Sequence, residues 1–216
     1  MSEVTTSGRA WDSEKGVVVF TTRPDIPNLS SDVTVMWHDC RCISPEQRRK
    51  AWALMTEIAA YQGQDKEETY HEQQTAFSLK HLELLQGELF HLSTATMSTA
   101  RAFINLLIEI IVENGIKTKE PLVQMCEDIG RYVYVCAVNR RCAVCGQRAE
   151  LHHSETVGMG FNRKEICHLG MKCLPLCRTH HQNAHTVGEN VFQRKYHLQA
   201  VEIDERIAKV YRLKTT

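Results

Sequence analysis

The sequence predicts an α+β protein in two parts, a helix-rich mixed N-terminal domain over residues 1–138 and a small zinc-stabilised domain over residues 139–216. Three observations predict it. Apolar residues recur at helical spacing in several stretches between Ser44 and Val138. Short β-branched runs precede them. Metal-binding side chains then crowd into Cys142–His185, where five of the nine cysteines sit among six of the eleven histidines.

Taken in order, residues 1 to about 12 are small and polar and read as a frayed terminus. Gly16–Thr21 and Val33–Trp37 read as strands, separated by a turn-rich stretch with Pro24 and Pro27. Ser44-Pro45-Glu46-Gln47 is a helix start: Ser44 caps, Pro45 suits the first helical position and Gln47 completes a capping box. Ala51, Leu54, Met55 and Ile58 form the buried stripe of that helix, and Trp52, which flanks it, is expected to be buried. A polar helix over 66–79 has Tyr70, Ala76 and Phe77 as its sparse apolar anchors. Leu82–Leu92 fits helix or strand. The most regular helix follows Thr96 and ends at Asn114-Gly115, with Ala100, Phe103, Ile104, Leu107, Ile108 and Ile111 on one face. Leu106, Ile110 and Val112 fall off that face, which points to a homodimer as one way to cover them. Pro121 opens a further helix carrying Leu122, Met125, Cys126, Ile129, Val133 and Cys136, with the two cysteines as small core residues. Ile203–Leu213 reads as a last short helix with a basic face, and Phe192, Tyr196 and Leu198 are expected to pack on the metal-binding part.

Bulk properties narrow the function. Formal charge is zero, so no overall basic excess advertises a nucleic-acid binder, although local patches remain open. No signal peptide is read at the start, and no apolar run reaches the ~18 residues of a membrane span. The expectation is a cytoplasmic protein with no membrane partner. In a reducing compartment the cysteine and histidine mixture favours metal over disulfides.

Spacing separates two metal sites. Cys142 and Cys145 form a Cys-x2-Cys knuckle, and Cys177 and His180 are spaced alike; together they make a closed Cys3His zinc site. Cys167 and Cys173 are spare thiols, either of which could replace one of these ligands. His181 and His185 share a helix face and can bind one cation. Neighbouring strand residues point to opposite faces, so only one of His152 and His153 can join them, and the other is left for proton transfer. A zinc module that binds DNA or protein and cuts nothing is the competing reading. It needs only four ligands and leaves His152, His153, His181 and His185 without a purpose.

Glu150-Leu-His-His153, a loop, and then Leu-Cys177-x2-His-His181-x3-His185 resembles the HNH (ββα-metal) nuclease family. The resemblance implies a strand carrying His152 as metal ligand and His153 as general base, and a helix carrying the ligands His181 and His185. It also matches Cys142, Cys145, Cys177 and His180 to the zinc-binding subset of that family. The implied activity is hydrolysis of DNA phosphodiesters with a divalent cation, Mg, Mn, Ni or Zn. That cation offsets charge building on the phosphate oxygens, while a neutral imidazole of ordinary pKa ~6.5 takes the proton of the attacking water. One departure stands out. The family places an asparagine shortly before the helix, and Gly170–Cys177 contains none. Asn162, His168 or a backbone group could stand in for it. Gly158–Lys164 is a glycine-hinged loop in which Arg163 and Lys164 could contact phosphate.

Pro45–Trp52 and Leu92–Met97, with the helix running on to Gly115, look like the phage recombination-accessory Orf (NinB) family. That resemblance implies a dimeric domain that binds single-stranded or branched DNA and cooperates with single-strand-binding protein. In a phage-encoded protein it also implies the bacterial host cytoplasm. Arg48, Arg49, Lys50 and Arg101 would then be the phosphate contacts and Trp52 a stacking residue, against the plainer readings of solvated charges and a buried Trp52.

Overall fold

The computed structural model describes residues 8–13, 16–21, 41–83, 85, 87–154 and 167–215. The chain divides into two compact units, Met1–His38 and Asp39–Thr216. In the first, β1 (Gly8–Ser13) pairs antiparallel with β2 (Gly16–Thr21), Ser13 opposite Gly16 and Gly8 opposite Thr21. The second strand is as the β-branched run predicts. The first corrects the expectation of a frayed terminus: Gly8–Asp12 gains a full antiparallel partner, and ladder hydrogen bonds offset its weak strand composition. The proposed strand Val33–Trp37 lies outside the described residues.

The second unit opens on α1 (Pro45–Gln62). Ser44 and Gln47 form the reciprocal capping box, and Gly63 ends the helix at φ 72°. Ala51, Leu54, Met55 and Ile58 are buried. Trp52 is not: it is 37% exposed and tilts against Tyr70 at 5.5 Å. It lies one step off the stripe, on the flank that α1 turns outward. Helix α2 (Lys66–Lys80) is capped by Asp65 and buries Phe77, but its other buried residues include Thr69, Gln73 and Gln74, while Ala76 is exposed. Gln74 is satisfied there by the Phe90 carbonyl and by His91. The described residues between α2 and Leu92 are turn and coil, neither helix nor strand, and Phe90 joins a cluster with Phe77 and Phe103 whose rings lie 4.6–5.4 Å apart.

Helix α3 (Met97–Asn114) runs through the centre of this core. Leu106 and Val112 are buried and Ile110 packs against the cluster, so the chain itself covers the residues that suggested a dimer. Gly115 ends α3 at φ 63°, and the Arg141 guanidinium fills the space where a β-carbon would stand. The helix expected from Pro121 is two: α4 (Leu122–Met125) and α5 (Ile129–Val138). Cys126 turns extended, and Asp128 accepts from the Arg131 amide to start a new helix. A good N-cap outcompetes continuation of the apolar stripe.

A three-stranded antiparallel sheet follows, ordered β3 (Glu150–His153), β4 (Lys172–Leu176), β5 (Val201–Glu202). Helix α6 (Arg178–Val187) leaves β4 directly, then come α7 (Glu189–Tyr196) and, last, α8 (Glu205–Tyr211). The molecule is thus helix-rich α+β. Its main apolar cluster runs without a break from Ile43 through Leu174 and Phe192 to Leu198. Helix α5 joins the two halves: the Tyr132 hydroxyl donates to the Ala143 carbonyl at 2.8 Å and the Tyr134 hydroxyl to Asp204 at 2.7 Å. Among the described residues no helix is long and apolar enough to cross a membrane.

Candidate active site

The Cys142–Cys145 knuckle is built by backbone bonds. The Gly146 amide donates to the Cys142 carbonyl at 2.8 Å, with Gly146 at φ 70°, and the Cys142 amide donates to the Gln147 carbonyl at 2.7 Å. The facing half comes from the start of α6, where Cys177 is the N-cap residue and His180 lies in the first turn. One donor atom from each of the four falls within 4.8 Å of the others. Cys145 Sγ is 3.7 Å from Cys177 Sγ, and His180 Nδ1 is 3.5 Å from Cys142 Sγ and 3.1 Å from Cys177 Sγ. Ligands on ~2.0–2.3 Å tetrahedral arms stand about 3.5–3.8 Å apart, so the set fits zinc in both chemistry and size. Burial pushes the Cys142 thiol up to about 12 and raises that of Cys145. A cation must therefore displace protons to bind here. Burial, helped by the Lys195 charge, lowers the pKa of His180 and favours the neutral imidazole that can ligate. Cys167 and Cys173 stand outside this set: Cys167 is exposed, and Cys173 is buried in a separate cluster with Ile203 and Ile207.

The second cluster uses the other side of the same helix. His181 and His185 lie one turn apart on α6, with ring centroids 4.9 Å apart. His152 on β3 completes a triangle, 4.9 Å from His181 and 4.8 Å from His185. Donor atoms of the three lie within 4.8 Å of one another. His152 is only 4% exposed, and its Nδ1 is buried without a hydrogen-bond partner among the described residues. An orphaned imidazole nitrogen among two further imidazoles is what a cation would satisfy.

Strand alternation sends His153 the other way. It is half-buried, and its Nε2 lies 3.0 Å from His168 Nδ1. His168 therefore occupies ground beside His153, just before the stretch that lacks asparagine. Two carboxylates back the ligand triangle. Glu189 Oε2 is 2.7 Å from His152 Nε2, and Glu150 Oε2 is 3.1 Å from His181 Nδ1. The hydrogen bond from His181 leads the causes that hold Glu150 below the usual carboxylate range. Burial works against ionised Glu189, but hydrogen bonds led by that of His152 outweigh it and lower its pKa. Sequence reasoning singles out neither glutamate as a site residue. Glu150 sits two residues from His152 on β3, a strand spacing that puts it on the same face and could have found it. Glu189 gives no such signal, because it meets His152 only through the fold.

The basic candidates are scattered. Arg48 and Arg49 are exposed and, with Ile43, Pro45 and Trp52, line a surface hollow of about 460 Å³. Lys50 is paired with Glu46 at 3.0 Å, and Arg101 with Glu127 at 3.3 Å. Arg163, Lys164 and Asn162 lie outside the described residues.

No curated protein and no solved structure matches the chain. A family described as "Putative HNHc nuclease" matches residues 25–214, nearly the whole length and both halves of the helical and metal-binding unit. With that span, and with Cys3His and three-histidine clusters that both draw ligands from α6, the chain belongs to this HNH nuclease family.

Proposed function

We propose that the protein is a divalent-cation-dependent endonuclease that hydrolyses DNA phosphodiester bonds. One observation carries this reading: β3 presents His152 to His181 and His185 on one face and His153 to His168 on the other. His152, His181 and His185 would hold the catalytic cation, Mg, Mn, Ni or Zn, which when bound offsets the negative charge building on the phosphate oxygens. His153 serves as general base. If its Nε2 donates to His168 Nδ1, the neutral ring carries its lone pair on Nδ1, the atom that would take the proton of an attacking water. His168 then does for His153 what the missing asparagine does in the family pattern. Cys142, Cys145, Cys177 and His180 hold structural zinc and fix the start of α6.

The division of labour falls near residue 139. Residues 1–138 form the DNA-binding domain, and residues 139–216 cut. The exposed Trp52 beside Arg48 and Arg49 supports this, since an aromatic face next to guanidinium groups suits unpaired bases and their phosphates. It favours single-stranded or branched DNA as substrate. A phage-type recombination role, a homodimer and single-strand-binding protein as partner belong to the same proposal, and rest on the patchy Orf (NinB) resemblance over about residues 33–118.

A nicking assay on single-stranded, branched and duplex DNA tests the reading. Wild-type protein is expected to cut with at least one of Mg, Mn, Ni and Zn. His153→Ala is expected to lose about 100-fold or more of that rate, the usual worth of a general base, and His181→Ala, which removes a cation ligand, is expected to lose most of it as well. Cutting that persists in both variants would overturn the roles given to His153 and His181, and cutting that no metal elicits would leave a zinc module that binds DNA without cleaving it.

A further inference from the structure

His152 is the most deeply buried member of the three-histidine cluster, and only one of its nitrogens has a hydrogen-bond partner among the described residues. A neutral imidazole carries one N–H and one lone pair, and which nitrogen holds which is set by its surroundings. Here the surroundings leave little choice. Glu189 Oε2 lies 2.7 Å from Nε2, and an ionised carboxylate can only accept, so the proton belongs on Nε2. The lone pair is then on Nδ1, the buried atom that no described group satisfies.

Glu189 is itself held in place. Its Oε1 accepts from Gln193 Nε2 at 2.7 Å, one turn along α7. Gly188, at φ 85°, breaks the chain between α6 and α7, so Glu189 opens a new helix only four residues after His185. A carboxylate is favoured in that first helical turn. The contrast with Glu150 is instructive. Glu150 approaches His181 in the same manner, but it is half-exposed and shared with Arg178, so water and a competing cation loosen its grip. Glu189 has 22% of its side chain exposed and His152 has 5%.

We propose that Glu189 is the positioning residue of the cation site, fixing the tautomer and ring orientation of His152 so that Nδ1 is presented to the cation. The inference rests on the reading of His152, His181 and His185 as a cation site, and it adds a fourth residue on which affinity depends. Carboxylate partners of metal-bound histidines typically account for about 10–100-fold in affinity.

The test uses the full-length, zinc-loaded chain and Ni²⁺ as the probe, with calorimetry for affinity and long-range ¹H–¹⁵N spectra of the nickel-free chain for the His152 tautomer. Wild type is expected to bind one exchangeable Ni²⁺ and to show His152 protonated on Nε2. Glu189→Ala should bind Ni²⁺ about 10–100-fold more weakly and show mixed tautomers. Glu189→Gln, whose amide oxygen still accepts from Nε2–H, should lose only a few fold. Both variants binding like wild type, with the tautomer unchanged, would overturn the proposal while leaving the cation site standing. A wild-type chain that takes up no exchangeable Ni²⁺ would instead remove the site and the proposal with it. His152→Ala, which deletes the ligand, marks the floor of binding. If circular dichroism shows Glu189→Ala unfolded, Glu189→Gln decides alone: weaker binding supports the assignment, and wild-type binding overturns it.

Discussion

At the scale of single residues, the structure turns on a few positions where two constraints meet. Gly115 is one. It must adopt φ 63° to end α3, and it must leave room for the Arg141 guanidinium that lies against the helix end. A left-handed backbone at a residue with a side chain costs about 1 kcal/mol or more, and displacing Arg141 adds to it. Gly115→Ala is therefore expected to lower stability by about 2 kcal/mol in chemical denaturation, whereas Gly87→Ala, with nothing near its added methyl, should show only the backbone part. The histidines illustrate what spacing reveals and what it hides. That His152 and His153 must diverge is legible in the sequence, because strand geometry is local. That His153 meets His168 is only one of several options there, because the two are fifteen residues apart and no periodicity in the sequence relates them. Trp52 departs from its expected burial for a related reason. Its neighbours fix the buried stripe, but whether a flanking position is covered depends on what packs beside it, here a tilted Tyr70 ring.

Elements are most legible where their ends carry side-chain chemistry. The α1 capping box and the Gly115 terminus of α3 can be placed to the residue, because each satisfies backbone groups with atoms close in sequence. The break between α4 and α5 is hidden, since the apolar stripe continues in phase across Asp128 and only the cap interrupts it. Helix α2 buries glutamines and threonine that no hydrophobic pattern would select, and the carbonyl of Phe90, sixteen residues beyond Gln74, satisfies the Gln74 amide. The end of this helix has a pH signature. His81 caps α2 and packs on Phe77 at 4.5 Å, and burial, followed by the charges of Lys80 and Arg131, depresses its pKa, with the Glu109 carboxylate opposing. The unfolded chain then takes up a proton near the ordinary ~6.5 before the folded chain does. The folded state should hold its full stability above that pH and lose some as the pH falls through the window below it. His81→Gln should flatten that part of the curve, measured by denaturation between about pH 7.5 and 5.

Across the whole molecule, the continuous core ties the helical half to the sheet and metal-binding half, so the two are expected to unfold together. Structural zinc contributes folding free energy directly. Elemental analysis should find one tightly held zinc per chain and a second, exchangeable metal. Mild chelation should remove the exchangeable one with the fold intact, and stronger chelation should remove zinc with loss of helical signal over the shared core. The proposed binding to DNA belongs to the same scale. With zero formal charge, attraction to phosphate must come from local groups, and Lys50 and Arg101 already have acidic partners. Arg48 and Arg49 are expected to dominate, so the double change to alanine should weaken single-strand binding and reduce its salt slope by about 1–2.

Helix α6 has ten residues, fewer than the ~12–15 an isolated helix needs to persist in water, and Ala184 alone is buried on it. Its N-cap and first turn belong to the Cys3His set, and the following turns to the three-histidine set. Two ligands that order the same short element are thermodynamically linked, and the coupling is reciprocal: whatever factor zinc adds to affinity for the second cation, that cation adds to affinity for zinc. With zinc and a second cation bound as proposed, the three-histidine site would respond to zinc supply, a dependence that neither cluster would show alone.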